Sequence, residues 1–502
     1  VILTLDLGTS YTKACLWDRG LLATGRVALR TRHPAPGRAE QDPADWWASA
    51  VEAAAAARQA ADLVGTAPVT AVACTGARQT FATVGADGSP TGPGILWSDR
   101  RGASEVGAVA ARAGGAAAVR RSTGAPLAAE SVAAKLAWLS AHAADQLRRA
   151  RWLLTPRDLV VWRLCGACCT DQTMASRSGL YDLDGRVVED LAGAAVGRLP
   201  PVVASDEAVG TVAPGAADEL GVPPGIPVVI GAGDRASEVV GVGASPTEPM
   251  VSWGTTASVV VPTGTRPPAV PEGLVLSRAA TEGWLVEGGL SAAGALIDWL
   301  GALTGRSVPA LLEGAARRPP GANGVVALPW LGGARAPWWR DGAGAGFVGA
   351  RADHDASDLA RAAVEAVAAD VRRCLAAVSS ADGGPSDAAG PRPLPFDGLA
   401  LAGRGSAGQL WPSVLAGICA LGVRTRQSGE AASAGAAWLA ARAVGDPVDL
   451  DALDPRSAEL AADPAVVEAY RRWWPEADPV ARALVDLDLG GRSPGGDGTG
   501  VG

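Results

Sequence analysis

Two stretches in different halves of the chain share one chemistry. Asp6-Leu7-Gly8-Thr9-Ser10 ends one apolar run and soon meets another, Ala14-Cys15-Leu16-Trp17. Gly254-Thr255-Thr256 sits the same way inside MVSWGTTASVVV, residues 250–261. Each reads as strand, turn, strand, presenting backbone N–H groups and hydroxyls that suit anionic oxygens such as those of phosphate. One such turn is ordinary hairpin chemistry, because Gly, Thr and Ser are common turn residues. Two, about half a chain apart, suggest a duplicated fold clasping one phosphate chain between its halves. No G-x-x-x-x-G-K-[ST] occurs and no helix directly follows the glycine, so neither turn is a P-loop.

Asp234 is the candidate for acid–base work. It ends the apolar run VVIGAGD, where Gly231 and Gly233 let a substrate approach closely. A carboxylate at a strand end can take the proton of an attacking hydroxyl. It can equally cap the helix that the following residues predict, since Asp is favoured there. Arg235 follows at once and either reaches a substrate or pairs with Glu238 along that helix. Arg78 and Gln79, in TGARQT, can hydrogen-bond hydroxyls. Trp97, in GILWSDRR, reads equally as pocket wall or core, and its neighbours Asp99 and Arg100 read as an ion pair. Lysine occurs only at Lys13 and Lys135, against arginine nearly everywhere else. Lys13 is either a phosphate contact or a strand-edge lysine.

The elements that must position these groups alternate between strand and helix patterns. Residues 69–76 and 226–234 read as short buried strands, and 131–150 and 356–378 have helical period. An α/β protein with layers on both sides of a sheet follows. The Gly- and Pro-rich residues 379–398 read as a loop, and 490–502 as a disordered tail. The 502 residues are enough for two or three domains, and 48% hydrophobic composition supplies a large core. A net charge of −8 argues against a nucleic-acid partner. No apolar run is long enough for a membrane span and no signal peptide is evident, so a cytoplasmic protein is expected. Cys165, Cys168 and Cys169 lack a second ligand pair at zinc-like spacing, and His33, His142 and His354 are isolated. Buried thiols in a strand are expected there, not a metal.

Seven stretches, in order, resemble the FGGY carbohydrate kinases, the group that includes xylulokinase and glycerol kinase. They are DLGTSYTK, GRAEQDPADWW, GILWSDRR, TDQTMASRSGLYDL, VVIGAGDRASEVVGVG, SWGTTAS and GRGSAGQLW. The resemblance implies two actin-like, ribonuclease-H-like ATPase domains flanking a deep cleft, at residues 1–244 and 245–489. It implies ATP-dependent phosphorylation of a sugar or polyol hydroxyl, with a ketopentose such as xylulose as the leading acceptor. By the same resemblance Asp234 is the base, and Asp6 holds Mg²⁺ through water. Gly8, Thr9, Ser10, Thr12, Lys13, Gly254, Thr255, Gly294, Gly403 and Gly405 contact the nucleotide. Arg78, Gln79, Trp97, Asp234 and Arg235 contact the acceptor. A homodimer would be in keeping with the family. Three departures stand out: Arg404 within the adenosine motif, Gly417 where an acid is common, and Arg235 where relatives carry Asn or Gln. A degenerate sugar-binding member, a glycerol or other polyol kinase and a different actin-like ATPase are the competing readings.

Overall fold

In the computed structural model, described over residues 1–62, 67–379, 392–403, 405 and 408–487, strand follows strand directly at the N-terminal end. Strand β1 (Ile2–Leu7) runs antiparallel to β2 (Tyr11–Trp17), which runs antiparallel to β3 (Leu21–Ala28). Parallel β4 (Ala71–Gly76) lies on the other side of β1; β5 (Ala208–Thr211) and β6 (Pro227–Val229) complete the sheet in the order β5-β6-β4-β1-β2-β3. Side chains alternate faces along a strand. Leu3, Leu5 and Leu7 therefore share one face, where they pack with Ala50, Ala53 and Ala57 of helix α1 (Pro43–Asp62). Thr4 and Asp6 share the other.

Helix α2 (Val132–His142) belongs to an inserted layer with its own core of Phe81, Ile95, Leu136 and Leu139. The helical pattern over 131–150 breaks at Ala143, whose φ of −145° is not helical. Helix α3 (Pro156–Cys165) packs beside α1 on the first sheet, and the short α4 (Gln172–Ser178) follows it.

Helix α5 (Asp234–Val242) leads into a second sheet. Its strands are β7 (Met250–Trp253), β8 (Ala257–Thr263), β9 (Val275–Arg278), β10 (Trp284–Leu290), β11 (Leu399–Ala402) and β12 (Val423–Arg424), in the order β9-β10-β8-β7-β11-β12. Apart from edge strands β5 and β9, each sheet holds three antiparallel strands followed by two parallel ones. This ribonuclease-H-like order of actin-like ATPase domains occurs twice, as the resemblance implies. Helices α6 (Gly294–Thr304) and α7 (Ala356–Ser379) share the core of the second sheet. They are followed by α8 (Leu410–Cys419), α9 (Ala431–Ala443) and α10 (Pro464–Leu484).

The two halves exchange a helix. Ala236, Val239 and Val242 of α5 pack on Met250, Val260 and Ala400 of the second sheet. Ala436 and Ala440 of α9 pack on Ala73 and Val229 of the first, and Ala434 and Ala437 on Cys15 and Trp17. Where α5 crosses α9 the backbones touch through glycine. A Cβ on Gly241 would lie 1.8 Å from the Ala431 carbonyl oxygen, and one on Gly435 would lie 1.9 Å from that of Ser237.

Several expectations are adjusted. Cys165 ends a helix, and Cys168 lies in the loop beyond it. Among the described residues no three His, Cys, Asp and Glu side chains gather as a metal cluster, and no helix is long and apolar enough to cross a membrane. Asp99 pairs with Arg101 at 2.8 Å, and Arg100 pairs with Glu130 at 3.2 Å. A Cβ on Gly417 would press on Val466 and Tyr470, so α10 occupies the space that a side chain there would need. Arg404, the tail 490–502 and most of the 379–398 stretch lie outside the described residues.

The α5–α9 contact makes a testable claim. Gly241→Ala improves helix propensity yet is expected to lower stability by about 1–3 kcal/mol, the cost of overpacking. Gly107 lies in the helix Val106–Arg112, and a Cβ there would have open space, meeting nothing within 4 Å beyond its chain neighbours and its own helix backbone. Gly107→Ala is expected to be neutral or to gain about 0.4–1 kcal/mol. Urea unfolding of both variants checks the contrast; equal stability would mean the helices have room to part.

Candidate active site

Asp234 owes its place to a buried network behind it. Arg157 is fully buried on α3 and donates to Asp171 (2.7 Å), to Asp158 (2.6 Å) and to the carbonyl of Gly231 (2.9 Å). Thr173 donates to Asp171 (2.7 Å) and accepts from the N–H of Gly233 (2.8 Å). The chain from Gly231 to Gly233 is thus tied down immediately before Asp234. Asp234 is the first residue of α5, and Gly233 takes the capping position without a side-chain bond. The carboxylate sits at the positive end of the helix dipole. Its Oδ1 accepts from the N–H of Arg235 (2.7 Å), and the side chain is 36% exposed, open enough to meet a substrate.

Arg78 joins the two halves. Its Nη1 and Nη2 donate to Glu287 on β10 at 2.9 and 2.8 Å, and its Nε lies 3.3 Å from Asp234 Oδ1. Burial alone would push the Glu287 carboxyl up; Arg78, with Arg177 at 3.9 Å, outweighs it and holds the carboxyl down to about 2. Ser277 also donates to Glu287. Arg235 donates to Glu238 at 2.5 Å.

Gln79, next to Arg78 in the chain, lines a cavity of about 700 Å³, together with Trp97, Glu130, Arg177, Arg335 and Trp339 among others. Gln79 has a φ of +61°, a left-handed conformation that a non-glycine residue adopts at some cost. Arg335 reaches across to Glu130 at 3.0 Å. Trp97 belongs to the wall and to the phosphate side at once. Its backbone N–H donates to Thr80 Oγ1 and its ring Nε1–H to Thr9 Oγ1, both at 3.0 Å.

The first turn is braced from below as well. Gln41 donates to the Thr9 carbonyl at 2.7 Å and accepts from Trp46 Nε1 at 2.9 Å. Ser10 is exposed. Thr12 faces the other way: it is buried, and its hydroxyl bonds Ser49 of α1 at 2.7 Å. Lys13 donates to Glu430, just before α9, at 2.6 Å. In the second half, the N–H groups of Ala293 and Ala295 donate to the carbonyl of Thr255, and that of Gly294 to Gly254, each at 3.0 Å. Gly403, at φ +82°, passes so close to Trp253 that a Cβ would lie 2.5 Å from its carbonyl oxygen; Gly405 lies against the Trp253 ring. Gly254, Thr255, Gly294, Gly403 and Gly405 are thus gathered around the end of β7.

Asp6 lies on the face of β1 turned toward α9, where Thr4 meets Ser433. Burial pushes its carboxyl up to about 7; Lys13 opposes the shift, while Asp234, Glu430 and Glu238 add to it. Of these, Glu430 is paired with Lys13, Glu238 with Arg235 and Asp234 with Arg78, which leaves the Asp6 carboxyl as the member for a divalent cation to approach. Among the described residues no three such side chains gather to coordinate a metal directly; magnesium, which retains much of its water, would be held at Asp6 through that water.

Glu287, Glu430 and Arg177 were not among the residues singled out from sequence. Their partners are distant along the chain, and no local motif marks them.

Comparison with known proteins agrees with this architecture. The FGGY family of carbohydrate kinases matches through its N-terminal domain over residues 1–241 and through its C-terminal domain over 250–444. The chain is 30% identical over 494 residues to a xylulose kinase of Streptomyces rubiginosus, covering 96% of this chain and 93% of that one. It is 31% identical over 467 residues to a glycerol kinase of Alkalilimnicola ehrlichii, covering 88% and 90%. The xylulose kinase structure from Rhodospirillum rubrum superposes with a TM-score of 0.82 at 27% identity, over 96% of this chain and 98% of that one. Two ribonuclease-H-like sheets, matched phosphate-type turns and these likenesses over nearly the full length lead to one conclusion: the chain belongs to the FGGY family of carbohydrate kinases.

Proposed function

We propose that this kinase transfers the γ-phosphoryl group of ATP to a hydroxyl of a ketopentose such as xylulose. The observation that carries the reading is Asp234, held at the start of α5 and 36% exposed, 3.3 Å from the guanidinium that ties it to the other half. The acceptor hydroxyl attacks the γ-phosphorus while its proton passes to Asp234; the bond to the β-phosphate oxygen breaks and ADP leaves with that electron pair. Gly8, Thr9 and Ser10 on one side, and Gly254 and Thr255 on the other, supply N–H and hydroxyl donors to the phosphates. Gly294, Gly403 and Gly405 leave room for the nucleotide beside Trp253. Mg²⁺, held through water by Asp6, would neutralise phosphate oxygens during transfer. Gln79 and Trp97 face the acceptor. Arg78 orients Asp234 and Glu287, and Lys13 steadies the turn through Glu430.

A polyol such as glycerol is the second reading. It is favoured by the Arg78-Gln79 pair, which resembles the Arg-Glu of glycerol kinases. The 700 Å³ cavity favours the longer sugar. An ADP-release assay over pentuloses, hexuloses, pentitols and glycerol tests the choice. The highest kcat/KM is expected for a pentulose. Glycerol as the best acceptor would transfer the assignment to it, and no sugar-stimulated ADP release would overturn the kinase reading.

Three variants test the roles. Asp234→Asn is expected to lower kcat by roughly 10²–10⁴-fold with acceptor binding retained, the span of a lost general base; near-normal turnover would leave Asp234 a helix-end acid only. Asp6→Asn is expected to raise the Mg²⁺ concentration needed for half-maximal rate by about 10–100-fold, as loss of an outer-sphere metal partner does. An unchanged Mg²⁺ dependence would remove Asp6 from the metal's surroundings. Arg235→Asn is expected to leave the ranking of acceptors unaltered, because that guanidinium is engaged by Glu238. A reordered ranking across the sugar panel would contradict this.

A further inference from the structure

Lys135 is one of only two lysines in a chain that otherwise uses arginine. It is completely buried on α2, and the acceptor and phosphate chemistry described above makes no use of it. Its Nζ donates to the carbonyl of Leu96 at 2.7 Å and to that of Trp97 at 3.2 Å. These two carbonyls precede and carry the residue that touches both sides of the active site. Trp97 binds Thr80, next to Gln79 in the cavity wall, and its ring N–H binds Thr9 in the phosphate turn. Three connections therefore converge on Trp97, and Lys135 is the one that comes from beneath. Burial pushes the Lys135 amine down to about 7; of the charged groups facing it, Asp99 and Glu130 favour the ammonium and Arg101 opposes it, and charged or neutral the amine has N–H groups for both carbonyls. Asp99 is itself engaged by Arg101 and by the N–H of Ala39. An ammonium is a compact donor that can serve two adjacent carbonyls from below, whereas a planar guanidinium needs more room.

We propose that Lys135 is a positioning residue for phosphoryl transfer: by holding the Leu96 and Trp97 carbonyls, it sets the Trp97 ring so that acceptor wall and phosphate turn keep one register. The proposal rests on the kinase reading above. Lys135 touches neither substrate and acts only through Trp97. A positioning error of about 1 Å at a reacting centre can cost about 10²-fold in rate, so the loss should appear in turnover and not only in stability.

The test is a double-mutant cycle on the full chain, assayed with MgATP and the best acceptor of the sugar panel, at a temperature where circular dichroism finds each variant folded. Trp97→Phe removes the ring N–H and keeps an aromatic wall. Lys135→Met removes the ammonium and keeps much of the length. Each single variant is expected to lower kcat by about 10-fold or more, and the double variant is expected to be no slower than the slower single, because both remove the same positioning. Lys135→Gln, which retains an amide donor, is expected to recover part of the loss; if Lys135→Met does not fold, Lys135→Gln replaces it in the cycle. Losses that multiply in the double variant, or wild-type kcat in a folded Lys135 variant, would overturn the proposal. If the wild-type chain shows no sugar-dependent ADP release at all, the kinase reading itself fails, an outcome distinct from either result of the cycle.

Discussion

The guanidinium of Arg78 is the point on which the two halves and the candidate base are set. Glu287 is a carboxylate buried in the second sheet, and a fork of two N–H groups from Arg78 is the main compensation for its burial. That fork consumes both terminal nitrogens of Arg78, so its direction is not free. The remaining Nε then faces Asp234, at the first turn of α5. Removing one member would leave a buried, uncompensated charge, at a cost of about 3–5 kcal/mol. The electrostatics that join the halves thus also orient the acid.

Backbone packing acts in the same place. Because α5 lies on the second sheet and α9 on the first, the helix that begins with Asp234 is shared between the halves. Gly241 and Gly435 allow the two helices to meet backbone to backbone. Lys13 and Glu430 add an ion pair between the first hairpin and the start of α9. The first turn, Asp234 and the crossing helices therefore form one connected structure, in which Trp97 links the turn to the cavity wall. Such preorganisation is what phosphoryl transfer asks of a protein, since the reaction needs placement and neutralised charge more than covalent help.

Much of this was legible in the sequence, and what was not shares a physical cause. The strand–Gly–hydroxyl–strand patterns at residues 8–10 and 254–256 became hairpins because the apolar runs on either side alternate and the turn residues are local signals. Asp234 was legible through its glycines and the helix pattern after it. The direction of a side chain was not legible. Thr12 and Arg78 have the right chemistry for phosphate and sugar, yet Thr12 is spent on Ser49 and Arg78 on Glu287 and Asp234. Arg235 could have faced either way, and Glu238 decides it. Glu430 lies 417 residues from Lys13, and Glu287 lies 209 from Arg78, so only folding brings these pairs together. Lys135 stood out as a rare residue, but its role required the position of Trp97.

On the proposed reading Asp234, oriented by Arg78, receives the acceptor's proton. A crystal structure of the complex with Mg²⁺, a non-hydrolysable ATP analogue and the best acceptor of the panel tests it most directly. One acceptor hydroxyl is expected within about 2.6–3.2 Å of the Asp234 carboxylate and directed at the γ-phosphorus, with Arg78 still bridging Asp234 and Glu287. An acceptor whose reacting hydroxyl lies against Glu238 or another group, with Asp234 turned from it, would mean that Asp234 is not the base.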